Sequence, residues 1–230
     1  MKTAIVTDST SSLTAAEIAD NNITVVPIPV IIDDQIYLEN IDLTANQLYE
    51  MQRNGAGFPK TSQPSIGEMI EIFDRLKAEG YDAIIMIPLA STISGFYQSL
   101  VTLSQTNPEY NLFVIDSQIT VRLMGYLVLA AAKMAQAGLA PEEIVKNIKE
   151  IQKTTDEIFV VEDLNNLVRG GRLSNAGALV GSMLQIKPLL TFDNESHKIV
   201  SFDKVRSMKK AIAKSEKLMF ARLAELDLDS

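Results

Sequence analysis

The 230 residues contain no cysteine, so a disulfide framework, a thiolate metal site and a cysteine nucleophile are all excluded, and the composition suits a reducing compartment. No stretch reaches about 18 uninterrupted apolar residues, and the opening MKTAIVTDST has neither a sustained apolar run nor a cleavage-like site. Neither secretion nor membrane insertion is expected, and the expected location is the cytoplasm. Histidine occurs once, at His197, and no GxSxG elbow accompanies it, so a Ser-His hydrolase has no sequence signal. The phosphate-loop pattern GxxxxGK[ST] is missing, and Gly55-Ala56-Gly57 lacks the strand context and third glycine of a dinucleotide fingerprint. Basic residues are outnumbered, 21 Lys and Arg against 29 Asp and Glu, and the net charge of -8 repels nucleic acid. Repeats and low-complexity tracts are absent as well.

What is there is core material: 47% of the residues are hydrophobic, and the length suits one large domain or two modest ones. Residues 3 to 7 (TAIVT), 82 to 89 (DAIIMIPL) and 112 to 115 (LFVI) are short apolar runs with the composition of buried strands. Helical segments intervene, three of them announced by capping-box spacing: Thr14 with Glu17, Thr44 with Gln47 and Ser65 with Glu68. Residues 23 to 32 are rich in β-branched side chains but carry Pro27 and Pro29, which predicts one peripheral, irregular extended segment. Alternation of this kind implies a mostly parallel sheet with flanking helices, whose ligands lie beyond the carboxyl ends of the strands. From about residue 155 the pattern changes. EIFVVED reads as a strand, NLVRGGRLS as a turn-bearing segment and NAGALVGSMLQ as a small-residue helix. IKPLLTFD and HKIVSFDKV follow as two strands around Asn194, Glu195 and Ser196. So short a connection makes the pair antiparallel, which predicts an α/β parallel-sheet domain over 1–154 and a second, mixed α/β domain over 155–230.

Each parallel strand ends in hydroxyl-bearing loop chemistry. Thr61, Ser62 and Ser94 precede helices, where neutral donors and free backbone N–H groups would together receive an anion. Taken singly, each is an ordinary helix cap; their recurrence is the signal. Asp8 and Asp116 follow strands and suit capping or hydroxyl orientation better than metal binding, because no ligand spacing accompanies them. Gly170-Gly171-Arg172 could set a guanidinium beside an oxyanion, or be a glycine helix stop beside a solvated arginine. Arg206 and Lys204, before the last amphipathic helix, have the same two readings. The apolar run Ala178, Leu179, Val180, Met183, Leu184, Ile186, Leu189 and Leu190 could line an acyl tunnel, although ordinary core is the more frequent explanation of such a run.

In order along nearly the whole chain, IVTDSTSSL, KTSQPS, ISGFYQS, VIDS, VVEDLNNLVRGGRLS, KPLL and KVRSMKKA resemble the DegV family. The resemblance implies a two-domain α/β protein that buries one long-chain fatty acid between its domains, with hydroxyl side chains holding the carboxyl end. It implies no cofactor beyond that lipid. It also implies a carrier rather than an enzyme, one that presents the acyl chain to a separate ATP-dependent fatty acid kinase subunit for conversion to an acyl phosphate. The family's carboxyl-binding threonine falls on Thr61, and the serine of its SG motif falls on Ser94, next to Gly95. Its arginines fall on Arg172 and Arg206, with roles at the head group or in kinase engagement. Two departures stand out. Phe96 occupies a place where the family often has threonine, and the chain ends at Ser230, before a strand-helix segment with a histidine that members usually have. The second domain is therefore expected to be short of the family's full form. The competing readings are a self-sufficient hydrolase or phosphatase using Asp8 and the hydroxyl loops, and a pure interaction module with an empty crevice.

Overall fold

A computed structural model describes residues 1–174 and 186–225. The chain forms two compact units, Met1–Thr155 and Asp156–Ser230. In the first, β1 (Thr3–Asp8), β2 (Ile23–Val26), β6 (Ala83–Ile87) and β7 (Leu112–Val114) make a four-stranded parallel sheet in the order β2-β1-β6-β7. The central pair runs in register from Thr3 beside Ala83 to Thr7 beside Ile87. All five residues of β6 are buried, as are the last five of β1. This is why both strands read as continuous apolar runs rather than as alternation: helices cover both faces of a parallel sheet.

Those helices are α1 (Ala15–Asp20), α3 (Ile66–Ala78), α4 (Phe96–Thr106), α5 (Val121–Gln136) and α6 (Pro141–Lys153), with α2 (Ala45–Arg53) beside a smaller sheet. The three expected capping boxes form, opening α1, α2 and α3 at Thr14, Thr44 and Ser65. Met69, Phe73 and Leu76 recur at helical spacing, so one face of α3 enters the core, where Phe73 meets the Tyr110 ring edge-on at 5.5 Å.

Residues 23 to 32 are not one peripheral segment. β2 is the edge of the parallel sheet, but the chain then leaves it, and β3 (Pro29–Ile32) becomes the middle strand of an antiparallel sheet between β4 (Gln35–Leu38) and β5 (Lys60–Thr61). Pro29 is tolerated there because it opens the strand, where a missing N–H costs least.

In the second unit, α7 (Asn165–Arg169) precedes an antiparallel hairpin, β8 (Lys187–Phe192) and β9 (Ile199–Val205), followed by α8 (Met208–Glu225). The strand expected over Glu157–Asp163 reduces to one residue pair, Phe159 and Leu190, which exchange two backbone bonds of 2.9 Å. Side chains take the neighbouring carbonyls instead: Thr191 Oγ1 donates to Glu157 O and Lys187 Nζ to Glu162 O, both at 2.8 Å. The helix expected over 175–185 lies outside the described residues, as do Ala178, Leu179, Val180, Met183 and Leu184 of the apolar run. Ile186 is half-buried, and Leu189 and Leu190 are buried in the hairpin.

Candidate functional site

At the carboxyl edge of the parallel sheet, the loop between β6 and α4 is fixed by three backbone N–H groups. Leu89 N donates to Asp8 Oδ2 at 2.8 Å, Ala90 N to Ile119 O at 2.9 Å and Ser91 N to Asp116 Oδ1 at 3.0 Å. Of the acceptors, Asp8 ends β1, and Asp116 and Ile119 lie in the segment between β7 and α5. The loop then delivers Ser94, half-buried, and Gly95, exposed, to the start of α4. Ser94 Oγ accepts from Phe96 N at 3.2 Å, which uses a lone pair and leaves the hydroxyl proton free to donate to a ligand. Phe96, the departure from the family pattern, is fully buried in the core with Phe73, Met86 and Leu100 and does not face the loop's solvent side.

The second hydroxyl pair arrives by way of the small sheet. Thr61 pairs with Val30, and Ser62 N donates to Pro29 O at 3.1 Å. Next comes Gln63, which sequence reasoning passed over although it stands inside the TSQP motif. Its Nε2 donates to Ser99 Oγ at 2.8 Å, bridging to the first turn of α4. A Cβ added at Gly95 would lie 3.1 Å from Gln63 Oε1, so the two segments approach closely at this point. Gln63 thus ties the segment that carries Thr61 and Ser62, both exposed, to the start of α4, which Ser94 and Gly95 precede.

Beneath them lies a hydrogen-bonded column. Asp8 Oδ1 accepts from Thr10 N at 3.0 Å and Thr10 Oγ1 at 2.6 Å, and Thr10 Oγ1 accepts from Thr120 Oγ1 at 3.1 Å. Ser9 Oγ accepts from Ile28 N at 2.9 Å and donates to Glu39 Oε2, a partner that no sequence motif announces. Burial pushes the Asp8 carboxyl above the ordinary range, against the pull of its bonds from Thr10 and Leu89, and the nearby Glu39 charge adds to the rise. Asp8 is 0% exposed, and its described bonds run inward to Thr10 and Leu89. Asp8 and Asp116 accept from hydroxyl and backbone N–H groups of these loops, and among the described residues no cluster of three or more His, Asp or Glu is placed to hold a metal ion.

Arg172 and Arg206 belong to the second unit. Gly171 takes φ +67° after α7, and the Arg172 guanidinium folds back so that Nη1 would lie 3.2 Å from a Cβ on Gly170. Leu173 pairs with Ile199, the first residue of β9, whereas the exposed Arg206 directly follows Val205, its last. The backbone origins of the two arginines are therefore separated by the length of β9, about 20 Å of strand. One small anion would not be shared between them. His197 sits in the hairpin turn at φ 51°, half-buried rather than on the open surface.

No helix among the described residues is long and apolar enough to cross a membrane. The family model described as an uncharacterised protein of the DegV family matches residues 2–227. A DegV domain-containing protein of Listeria innocua is 41% identical over 218 residues, covering 95% of this chain and 76% of that protein. Among solved structures, a fatty acid binding DegV family protein from Streptococcus agalactiae superposes with a TM-score of 0.89 at 37% identity, over 97% of this chain and 79% of that one. DegV from Bacillus subtilis, described as a fatty acid binding protein, gives 0.86 at 37% identity over 98% and 79%. An α/β fold built on a parallel sheet, an ordered set of hydroxyl loops at its carboxyl edge and a match along almost the entire length agree: the chain belongs to the DegV family.

Proposed function

We propose that this protein is a fatty acid carrier that holds a long-chain acyl group with its carboxyl end at the loops of Thr61, Ser62, Ser94 and Gly95 and presents it to a separate ATP-dependent kinase. The observation that carries this reading is the closure of the two hydroxyl loops on each other through Gln63 and Ser99 at the start of α4. The description of the 37% identical relatives as fatty acid binding supports the ligand class.

Affinity and orientation come from different parts of the ligand. Burying the tail contributes about 0.8 kcal/mol per CH2, which for a long chain far exceeds the roughly 1 kcal/mol of each hydroxyl hydrogen bond. The tail therefore supplies the binding energy, and the hydroxyls decide which end of the lipid is presented. Neutral donors suit a ligand whose carboxylate must next become an acyl phosphate, since a fixed salt bridge would favour the unreacted acid. Of Arg172 and Arg206, at most one serves the head group, which leaves the other for the surface of a partner.

The test is a titration with palmitate, comparing the parent protein with a Thr61→Val/Ser94→Ala double variant. The expected result is binding by the parent and an affinity about 10- to 30-fold weaker in the variant, the equivalent of two lost hydrogen bonds. Added to a cognate kinase and ATP, only the parent should support acyl phosphate formation. Equal affinity and equal acyl phosphate yield in the two proteins would remove the hydroxyls from the site.

A further inference from the structure

The two carboxylates beneath the site use their oxygens differently. Asp8 engages both: Oδ1 takes Thr10 N and Thr10 Oγ1, while Oδ2 takes Leu89 N. Asp116 engages one in the described bonds, with Oδ1 taking both Ser91 N and Gln118 N at 3.0 Å. Leu89 and Ser91 lie just upstream of Ser94, in the one segment that sets where the Ser94 hydroxyl stands. Ala90, between them, donates its N–H to the Ile119 carbonyl and accepts from Ile93 N at 3.1 Å, both backbone bonds that no substitution of a side chain deletes.

We infer that Asp8 and Asp116 are positioning residues for the head-group site: neither contacts the lipid, and together they fix the β6–α4 loop so that Ser94 meets a carboxyl group and discriminates it from other head groups. This inference rests on the carrier reading above, since it concerns how that site tells an acid from a neutral lipid. The lone-pair pattern makes it specific. Asparagine at 116 keeps a side-chain oxygen that can accept both N–H groups, so the clamp survives. Asparagine at 8 must turn its NH2 toward either Leu89 N–H or Thr10 N–H, setting donor against donor in a fully buried place. The two acids should therefore answer the same substitution in opposite ways.

The experiment measures affinities for palmitate and for hexadecanol, which share a tail and differ in head group, in the parent, Asp8→Asn, Asp116→Ala and Asp116→Asn. The parent should prefer the acid. Asp8→Asn and Asp116→Ala should lower that preference about tenfold, and Asp116→Asn should keep it within about twofold. Hexadecanol affinity should stay near the parent's throughout, a readout that general loosening of the fold would not spare. Preference retained in Asp8→Asn and Asp116→Ala, or both ligands weakened equally, would overturn the positioning role while leaving the carrier reading intact. A parent that binds hexadecanol and palmitate alike would instead refute the head-group site. If Asp8→Asn does not fold, the Asp116 pair decides, because Asp116 is only half-buried.

Discussion

The two units seat their phenylalanines differently. In the first, Phe73 and Phe96 are fully enclosed among the sheet and its helices; in the second, Phe202 is 41% exposed and Phe220 72%. Size accounts for part of this, because a small unit has too little interior to enclose every large apolar group. Charge does not follow that division, since burial raises Asp8 in the first unit and partners lower Asp203 in the second, but one glutamate from each unit shows the two opposite shifts. Glu17, in the first unit, closes the capping box of α1 and accepts a bidentate pair from Arg122, which holds its carboxyl down at about 2. Glu157, in the second, is pushed up to about 7, first by burial and then by the neighbouring Asp156 charge. The hydroxyl loops stand on the first unit, which holds the fully enclosed phenylalanines, and a packed scaffold of that kind is the requirement for placing a donor accurately.

The largest expected effect breaks the packing half of this comparison. Phe73→Ala removes a ring enclosed by the sheet and by Tyr110, and should destabilise the protein by about 3–5 kcal/mol. Phe220→Ala, on the exposed side of α8, should stay within about 0.5 kcal/mol. Denaturant unfolding of the two variants checks this; equal losses would show that α8 is packed as tightly as α3.

The charge half is sharper because the signs differ. Glu17 has a folded pKa below its ordinary 4.5, so its contribution is present above that value and is lost as pH falls toward about 2. Glu157 has a folded pKa above its ordinary 4.5, so the folded state holds the proton more tightly, and stability falls as pH rises from about 4.5 to about 7. Melting temperature against pH should therefore flatten at the acid end in Glu17→Gln and between about 4.5 and 7 in Glu157→Gln. An unchanged upper arm in Glu157→Gln would mean that its carboxyl is solvated in the folded protein.

The parallel sheet was legible because its strands are short apolar runs and its helices open on capping boxes, both of them local signals. The antiparallel sheet was not. Its β3–β4 turn places Asp33 and Asp34 at φ 48° and 64°, where glycine or asparagine would have announced a hairpin, and Pro27 and Pro29 argued against any strand having two neighbours. The hydroxyls of Ser62 and Ser94 were legible as loop residues before helices, whereas Thr61, expected in such a loop, is the last residue of β5. What brings them together was not, because Gln63–Ser99 and Ser9–Glu39 join residues far apart in sequence, and neither pair has a spacing rule. Asp8 stood out at the end of a strand, but its burial belongs to the folded chain alone.

The most direct test of the carrier reading is native mass spectrometry of the purified protein, with solvent extraction and identification of whatever is released. The account predicts one fatty acid per chain, retained on gentle purification and lost or depleted in the Thr61→Val/Ser94→Ala variant. A protein that is isolated empty and also refuses added fatty acids would contradict it.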